Sequence, residues 1–393
     1  MDSFEEGSLS YILNSLGEEQ ENYFNAITPP IMQTSNFIFN TVEELRAAFA
    51  SEYDAFLYSR GNNPTVEILK KKLAALDGAE DCLVFNSGAS AIFCSVLAHV
   101  KAGDHIVSVK APYTWAKKMF EVILPRFGVS TTYVDGTLIE NWQAAIQTNT
   151  VLFYLESPNS WTYELQDLPA VAALAKQHSI VSIIDNSYCS PIYQKPISYG
   201  IDMVLQSATK YIGGHSDVVA GVLTGSHERM RKIFNSEFLT TGSGCTPFHA
   251  WLLLKGLRTL PMRLEHISKT TLQMFEWLKS HPKVEEVIFP FDPAFPQYEL
   301  AKRQMSGACG LLTFILKANT AEEIDLFCNT LQHIKMAVSW GGHESLIIPR
   351  FAAYRKNSFN AERRDHKMMR LYVGFEDAAY LQADLARGFE KVG

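Results

Sequence analysis

From residue 82 onward the chain alternates short apolar runs with longer stretches of helical spacing. The runs fall at 82–85, 105–109, 130–134, 151–155, 181–184, 203–205 and 218–223. Helical patterns lie between most of them, as at 89–100 and 170–178. This alternation predicts an α/β fold, a mostly parallel sheet covered by flanking helices on both faces. Such sheets bind ligands beyond the carboxyl ends of their strands, so the polar residues there are the ones to weigh. A helix precedes the first run. Val66, Leu69, Leu73 and Leu76 recur at helical spacing between Pro64 and Gly78, residue types favoured at a helix start and just past its end.

Residues 1–60 carry little regular pattern, and Thr28-Pro29-Pro30 interrupts any helix there, because proline removes a donor and clashes with the preceding turn. They read as an N-terminal arm. Beyond residue 246 the pattern changes. A helical stretch over 247–280 is interrupted at Pro261, and strand-like runs follow at 310–316, 334–339 and 371–374. The expected organisation is an arm (1–60), a large domain (61–246) and a smaller C-terminal α+β domain (247–393).

The length of 393 residues exceeds one ordinary core, since domains run ~100–200 residues. Apolar residues make up 47% and charged residues 20%, the balance of a globular chain. The net charge of -7 argues against nucleic acid as a partner, because its recognition needs a basic face. The acidic opening Met-Asp-Ser-Phe-Glu-Glu lacks the apolar stretch of a secretory signal. No apolar run approaches the ~20 residues that span a bilayer. Six scattered cysteines without a C-x-x-C pair argue against a disulfide framework or a zinc site. A cytoplasmic protein is expected.

The segment Ser207-Ala208-Thr209-Lys210-Tyr211-Ile212-Gly213-Gly214-His215 follows a strand. Lys210 therefore sits at a carboxyl end, where a deprotonated amine attacks carbonyls. Ser207 and Thr209 beside it can donate to a phosphate. A lone lysine is most often a solvated surface group; this setting inverts the odds. Asp185 closes the apolar run 181–184, and a buried carboxylate needs a cationic partner. Asn86-Ser87-Gly88-Ala89-Ser90 joins a strand to a helix, and small residues there let N–H groups face an anion. It lacks the G-x-G-x-x-G of a dinucleotide site. Tyr113 could stack on a planar ring, Arg60 could grip a phosphate, and Arg370 could clamp a carboxylate with its fork of donors. His215 has only Asp217 beside it as a second ligand type, which favours a structural role over metal binding.

Together these residues resemble the trans-sulfuration family, the Cys/Met-metabolism enzymes that use pyridoxal 5'-phosphate (PLP). The likeness runs from Thr28-Pro29-Pro30-Ile31 to Arg370-Leu371-Tyr372-Val373-Gly374. It implies a fold-type I PLP enzyme in which Lys210 holds the cofactor as a Schiff base and Asp185 pairs with its ring nitrogen. Tyr113 would stack on the ring, and Gly88, Ala89, Ser207 and Thr209 would bind its phosphate. Tyr58 and Arg60 would reach a neighbouring subunit's cofactor, in a homotetramer of dimers that share active sites. Lys210, Tyr113 and Tyr58 would stand at the reacting atoms. Ser160 would contact the cofactor, and Ser339, Trp340 and Arg370 would hold the substrate. Within the family, Ser339-Trp340-Gly341-Gly342 and Glu156-Ser157-Pro158-Asn159-Ser160 look most like the cystathionine β-lyases. This implies α,β-elimination, giving homocysteine, pyruvate and ammonia from cystathionine. Val338 and Thr114-Trp115 depart from that pattern, which leaves a γ-synthase or γ-lyase open. A nucleotide-binding dehydrogenase and a catalytically silent protein on the same fold are the readings from other classes.

Overall fold

The computed structural model describes residues 7–393; the acidic opening at 1–6 lies outside them. Contacts divide the chain into two compact units. The first comprises residues up to Ser157, Leu165–Gly213 and Asp217–Arg258. The second comprises Pro158–Glu164, Gly214–Ser216 and Thr259–Gly393. The division falls inside the helix Pro247–Ser280 rather than at its start.

The first unit is built on seven strands: β1 (Asp81–Phe85), β2 (His105–Val109), β3 (Ser130–Val134), β4 (Thr150–Glu156), β5 (Val181–Asp185), β6 (Met203–Gln206) and β7 (Gly221–Gly225). Their order across the sheet is β1-β7-β6-β5-β4-β2-β3. All are parallel except β7, which runs antiparallel to both neighbours. Side chains alternate between two buried clusters, as a sheet covered on both faces requires. On β4, Leu152 and Tyr154 join one cluster and Phe153 and Leu155 the other. Ile183 and Ile184 divide the same way on β5. Each such side chain, fully buried, contributes roughly 1.5–3 kcal/mol, so the strand ends are held by a stiff frame.

The helix Pro64–Asp77 starts at Asn63, whose side chain accepts from Thr65 N, and stops at Gly78 in the left-handed region at φ 70°. The arm is less irregular than its sequence suggests. It contains the helices Leu9–Asn14 and Val42–Ala50, the second opened by a capping box of Thr41 and Glu44.

The second unit holds a five-stranded sheet of β8 (Val284–Ile288), β9 (Leu311–Leu316), β10 (Lys335–Met336), β11 (Leu346–Pro349) and β12 (Met368–Tyr372), in the order β10-β11-β12-β9-β8. The strand expected over 334–339 shrinks to the exposed pair Lys335–Met336 at the sheet edge. Pairing ends early because the chain turns away towards Gly341, which adopts φ 86°. β8 and β11 carry no clean alternation, so the pattern of the sequence does not predict them. The helix expected to break at Pro261 runs unbroken from Pro247 to Ser280. Burial of Leu253, Leu257, Leu260, Leu264 and Ile267 along it outweighs the roughly 3 kcal/mol that an interior proline costs. Among the described residues no helix is long and apolar enough to cross a membrane, and no cluster of His, Cys, Asp or Glu is placed to hold a metal.

Candidate active site

In the first unit, the sheet brings the key polar residues to adjacent strand ends. Asp185 is the last residue of β5, level with Glu156 on β4 and Leu205 on β6. The chain leaves β6 through Ser207 and turns through Thr209 and Lys210, whose amide donates to the Ser207 carbonyl at 3.1 Å. Lys210 is half-buried. Asp185 is only 8% exposed. Burial pushes its carboxyl up, opposed by hydrogen bonding from Ser187 and by the nearby Lys210 charge. Ser187 N donates to Asp185 Oδ1 at 2.9 Å, and Ser187 Oγ accepts from Ser207 N at 2.7 Å. Ser187 thus ties the acid to the turn that carries Lys210. The sequence reading missed it, since a serine two residues past a strand carries no signal of its own.

The second strand–helix junction packs against this turn. β1 passes through Asn86 and Ser87 into the helix Gly88–Leu97, and Ser87 Oγ caps it by accepting from Ser90 N at 3.1 Å. A Cβ on Gly88 would stand 3.2 Å from Ser207 Cβ, and one on Gly221 would stand 2.2 Å from the Ser87 carbonyl oxygen. At Gly221 only glycine lets the two backbones approach this closely, while a side chain at Gly88 would press on Ser207. The result is a cradle in which Gly88, Ala89 and Ser207 meet at a helix N-terminus, suited to an anion. Thr209 sits on its edge, but its hydroxyl already donates to the Ala220 carbonyl at 3.2 Å and accepts the Ala220 amide at 3.0 Å. An anion would compete with that carbonyl.

Tyr113 is held from below: its amide donates to Glu156 Oε2 at 2.5 Å, while its side chain is 43% exposed. Burial, then the negative charges of Asp185 and Glu156, push its hydroxyl upward. Tyr113 is therefore a protonated phenol near neutral pH, able to donate. Glu156 acts here as the residue that fixes Tyr113, a role its motif does not reveal.

Tyr58 and Arg60 are exposed and contact each other, the guanidinium 5.5 Å from the ring centroid. They border a groove of about 680 Å³ that also includes Phe37, Phe39 and Phe49. The structure pairs them with each other rather than with Lys210.

In the second unit, Arg370 lies on β12 opposite Thr313 of β9 and Ile348 of β11. It is 7% exposed, and Nη1 donates to the Ser160 carbonyl at 3.4 Å. The polypeptide from Ser339 to Gly342 forms a turn in which Trp340 is buried and Tyr372 Oη donates to the Gly342 carbonyl at 2.7 Å. Val338 is 83% exposed. Ser160, Ser339, Trp340 and Arg370 thus all belong to the second unit, while Lys210, Asp185, Tyr113 and the cradle belong to the first. His215 is exposed on the short excursion that joins the second unit.

Residues 12–390 match the family described as Cys/Met metabolism PLP-dependent enzyme. The chain is 38% identical over 380 residues to L-methionine gamma-lyase of Porphyromonas gingivalis, covering 95% of this chain and 94% of that protein. It is 34% identical over 363 residues to O-succinylhomoserine sulfhydrylase of Pseudomonas aeruginosa, covering 91% and 89%. Among solved structures, metB from Corynebacterium glutamicum superposes with a TM-score of 0.89 at 31% identity over 98% of each chain.

Proposed function

The chain belongs to the Cys/Met metabolism PLP-dependent enzymes, and from that premise we propose that it removes or replaces the γ-substituent of a sulfur-containing or activated amino acid. The carrying observation is its 38% identity to a protein named for γ-lyase chemistry. The sulfhydrylase at 34% points the same way. This reading reverses the order expected from Trp340 and Ser160, which favoured β-elimination.

The residues of the first unit fit the cofactor. Asp185 is a buried acid in need of a cation, and a ring N–H⁺ supplies one. Gly88 and Gly221 let the helix N-terminus pack close to Ser207 and to β7, where larger side chains would collide, and that helix N-terminus suits the cofactor's phosphate. Lys210 would hold the cofactor covalently, Asp185 its ring nitrogen, Tyr113 its face, and Gly88, Ala89, Ser207 and Thr209 its phosphate. Once bound, PLP supplies an electron sink for charge developing at Cα.

The remaining work falls to the protein. With PLP bound, Lys210 Nζ would take the Cα proton, and it would have to give that proton up before taking another at Cβ, the second proton removal that γ chemistry demands and β-elimination does not. Tyr113 donates a proton from its hydroxyl to the leaving group. Positioned proton transfer of this kind is worth ~10²–10⁴-fold. To Arg370 we assign the substrate carboxylate, to Ser339 and Trp340 substrate contacts and to Ser160 a cofactor contact, the roles that the family resemblance implies. Tyr58 and Arg60 serve the cofactor of a second copy in a homotetramer, which accounts for an exposed Tyr–Arg pair in one chain.

Proton NMR in heavy water tests the reading. With L-norvaline, which has no leaving group, the PLP-loaded enzyme is expected to exchange both the Cα and the Cβ protons. Exchange at Cα alone would return the enzyme to β-elimination.

A further inference from the structure

Two guanidinium groups converge on Trp161. Arg370 stands 5.0 Å from its ring centroid and Arg350 stands 5.2 Å from it. Each contact attracts by about 0.5–2 kcal/mol, yet the two charges repel one another across a single side chain. The arrangement is built rather than incidental. Asn159, 6% exposed, ties down the turn that carries Trp161. Its Oδ1 accepts from the amides of Trp161, Thr162 and Tyr163 at 3.0, 2.9 and 3.1 Å. Tyr163 sits at φ 56°, fully buried, with its hydroxyl 3.0 Å from Thr313 Oγ1. Thr313 is the β9 residue opposite Arg370. Arg350 directly follows β11, whose last residue Pro349 lies opposite Met369. The indole is therefore held beside the sheet by two arginines, one on β12 and one just past the end of its antiparallel neighbour β11.

Arg370 also donates to the Ser160 carbonyl. Among the described residues, Arg350 has neither a hydrogen bond nor an ion pair; Trp161 is what holds it. A guanidinium presented this way offers its whole fork of donors to an anion, and carboxylate is the planar anion that the fork matches.

We propose that Arg350 is a specificity residue that binds a second, distal carboxylate of the substrate, while Arg370 holds the first. The substrate class is then an amino acid whose γ-substituent ends in an acidic group, joined through sulfur or an ester oxygen. A neutral thioether side chain lacks that group. This inference rests on the proposed role of Arg370. Trp161 is a positioning residue, since it acts through the two arginines.

The test compares kcat/KM for L-cystathionine, which carries the distal carboxylate, with that for L-methionine, which does not, on PLP-loaded wild type, Arg350→Ala, Arg350→Lys and Arg370→Lys. Wild type is expected to favour L-cystathionine. Arg350→Ala is expected to lower the cystathionine-to-methionine ratio about tenfold or more, the value of one charged hydrogen-bonded contact. Arg350→Lys, which keeps the charge, is expected to recover part of it. Arg370→Lys is expected to lower both substrates together. A ratio unchanged in Arg350→Ala overturns the inference, as does a wild type that prefers L-methionine; either result leaves the γ reading standing. Turnover of neither substrate by wild type overturns the inference, while Cβ exchange of L-norvaline still decides the γ reading. Arg370→Lys without effect on either substrate would remove the premise about Arg370.

Discussion

At the scale of single residues, two groups carry the account. Lys210→Ala is expected to lose covalent cofactor, read as the visible absorbance of the imine, and ~10²–10⁴-fold or more in kcat. Full activity in that variant would end the mechanism. Asp185→Asn leaves a buried ring cation without its counter-charge, and breaking a buried pair costs about 3–5 kcal/mol. PLP affinity measured by equilibrium dialysis is expected to fall, and unchanged affinity would mean that Asp185 does not face the ring nitrogen. Lys210 and Asp185 were legible in the sequence because Asp185 ends a strand and Lys210 lies in the turn just past one, each a residue type that such a position does not need. Ser187 and Glu156 were not, because their work is to hold Asp185 and Tyr113 by hydrogen bonds to backbone and side chain. Such contacts depend on which strands are neighbours. Trp161 and Arg350 were hidden for the same reason: 189 positions apart in the chain, they meet only through the second sheet.

At the scale of elements, the cradle depends on how closely β7 approaches the junction before the helix Gly88–Leu97. Gly221→Ala puts a methyl group 2.2 Å from a backbone oxygen, which no side-chain rotation relieves. Overpacking costs about 1–3 kcal/mol, so a lower Tm and weaker cofactor binding are expected together. A thermal melt that matches wild type would show that the junction yields. The parallel strands were readable because both faces are buried and each run is short and apolar. Pro261 misled because the helix around it is secured by tertiary burial, which local propensity does not see. The arm misled in the other direction: Thr41 and Glu44 form a capping box whose spacing was present in the sequence and not weighed. The run at 334–339 has strand-like residues, but β10 pairs only with β11 and only over Lys335–Met336.

At the scale of the whole molecule, stability and chemistry give separate tests. Asp77 is 1% exposed and sits under the first sheet, where Gln206 Nε2 and Thr224 Oγ1 donate to it at 2.9 and 2.8 Å. Burial raises its pKa from 3.8 to about 7 against those hydrogen bonds. The unfolded chain releases this proton at lower pH than the folded one. Stability is therefore expected to fall as pH rises from about 4 to about 7 and to level off above that, by proton linkage. Chemical denaturation across that range should show the slope in wild type and a weaker one in Asp77→Asn; equal slopes would assign the pH dependence to other groups. Which bond breaks is decided by identifying, by mass, the ketoacid that PLP-loaded enzyme forms from L-cystathionine. γ-Elimination yields 2-oxobutyrate with cysteine, and that is the expected result. Pyruvate with homocysteine would contradict it and restore β-elimination.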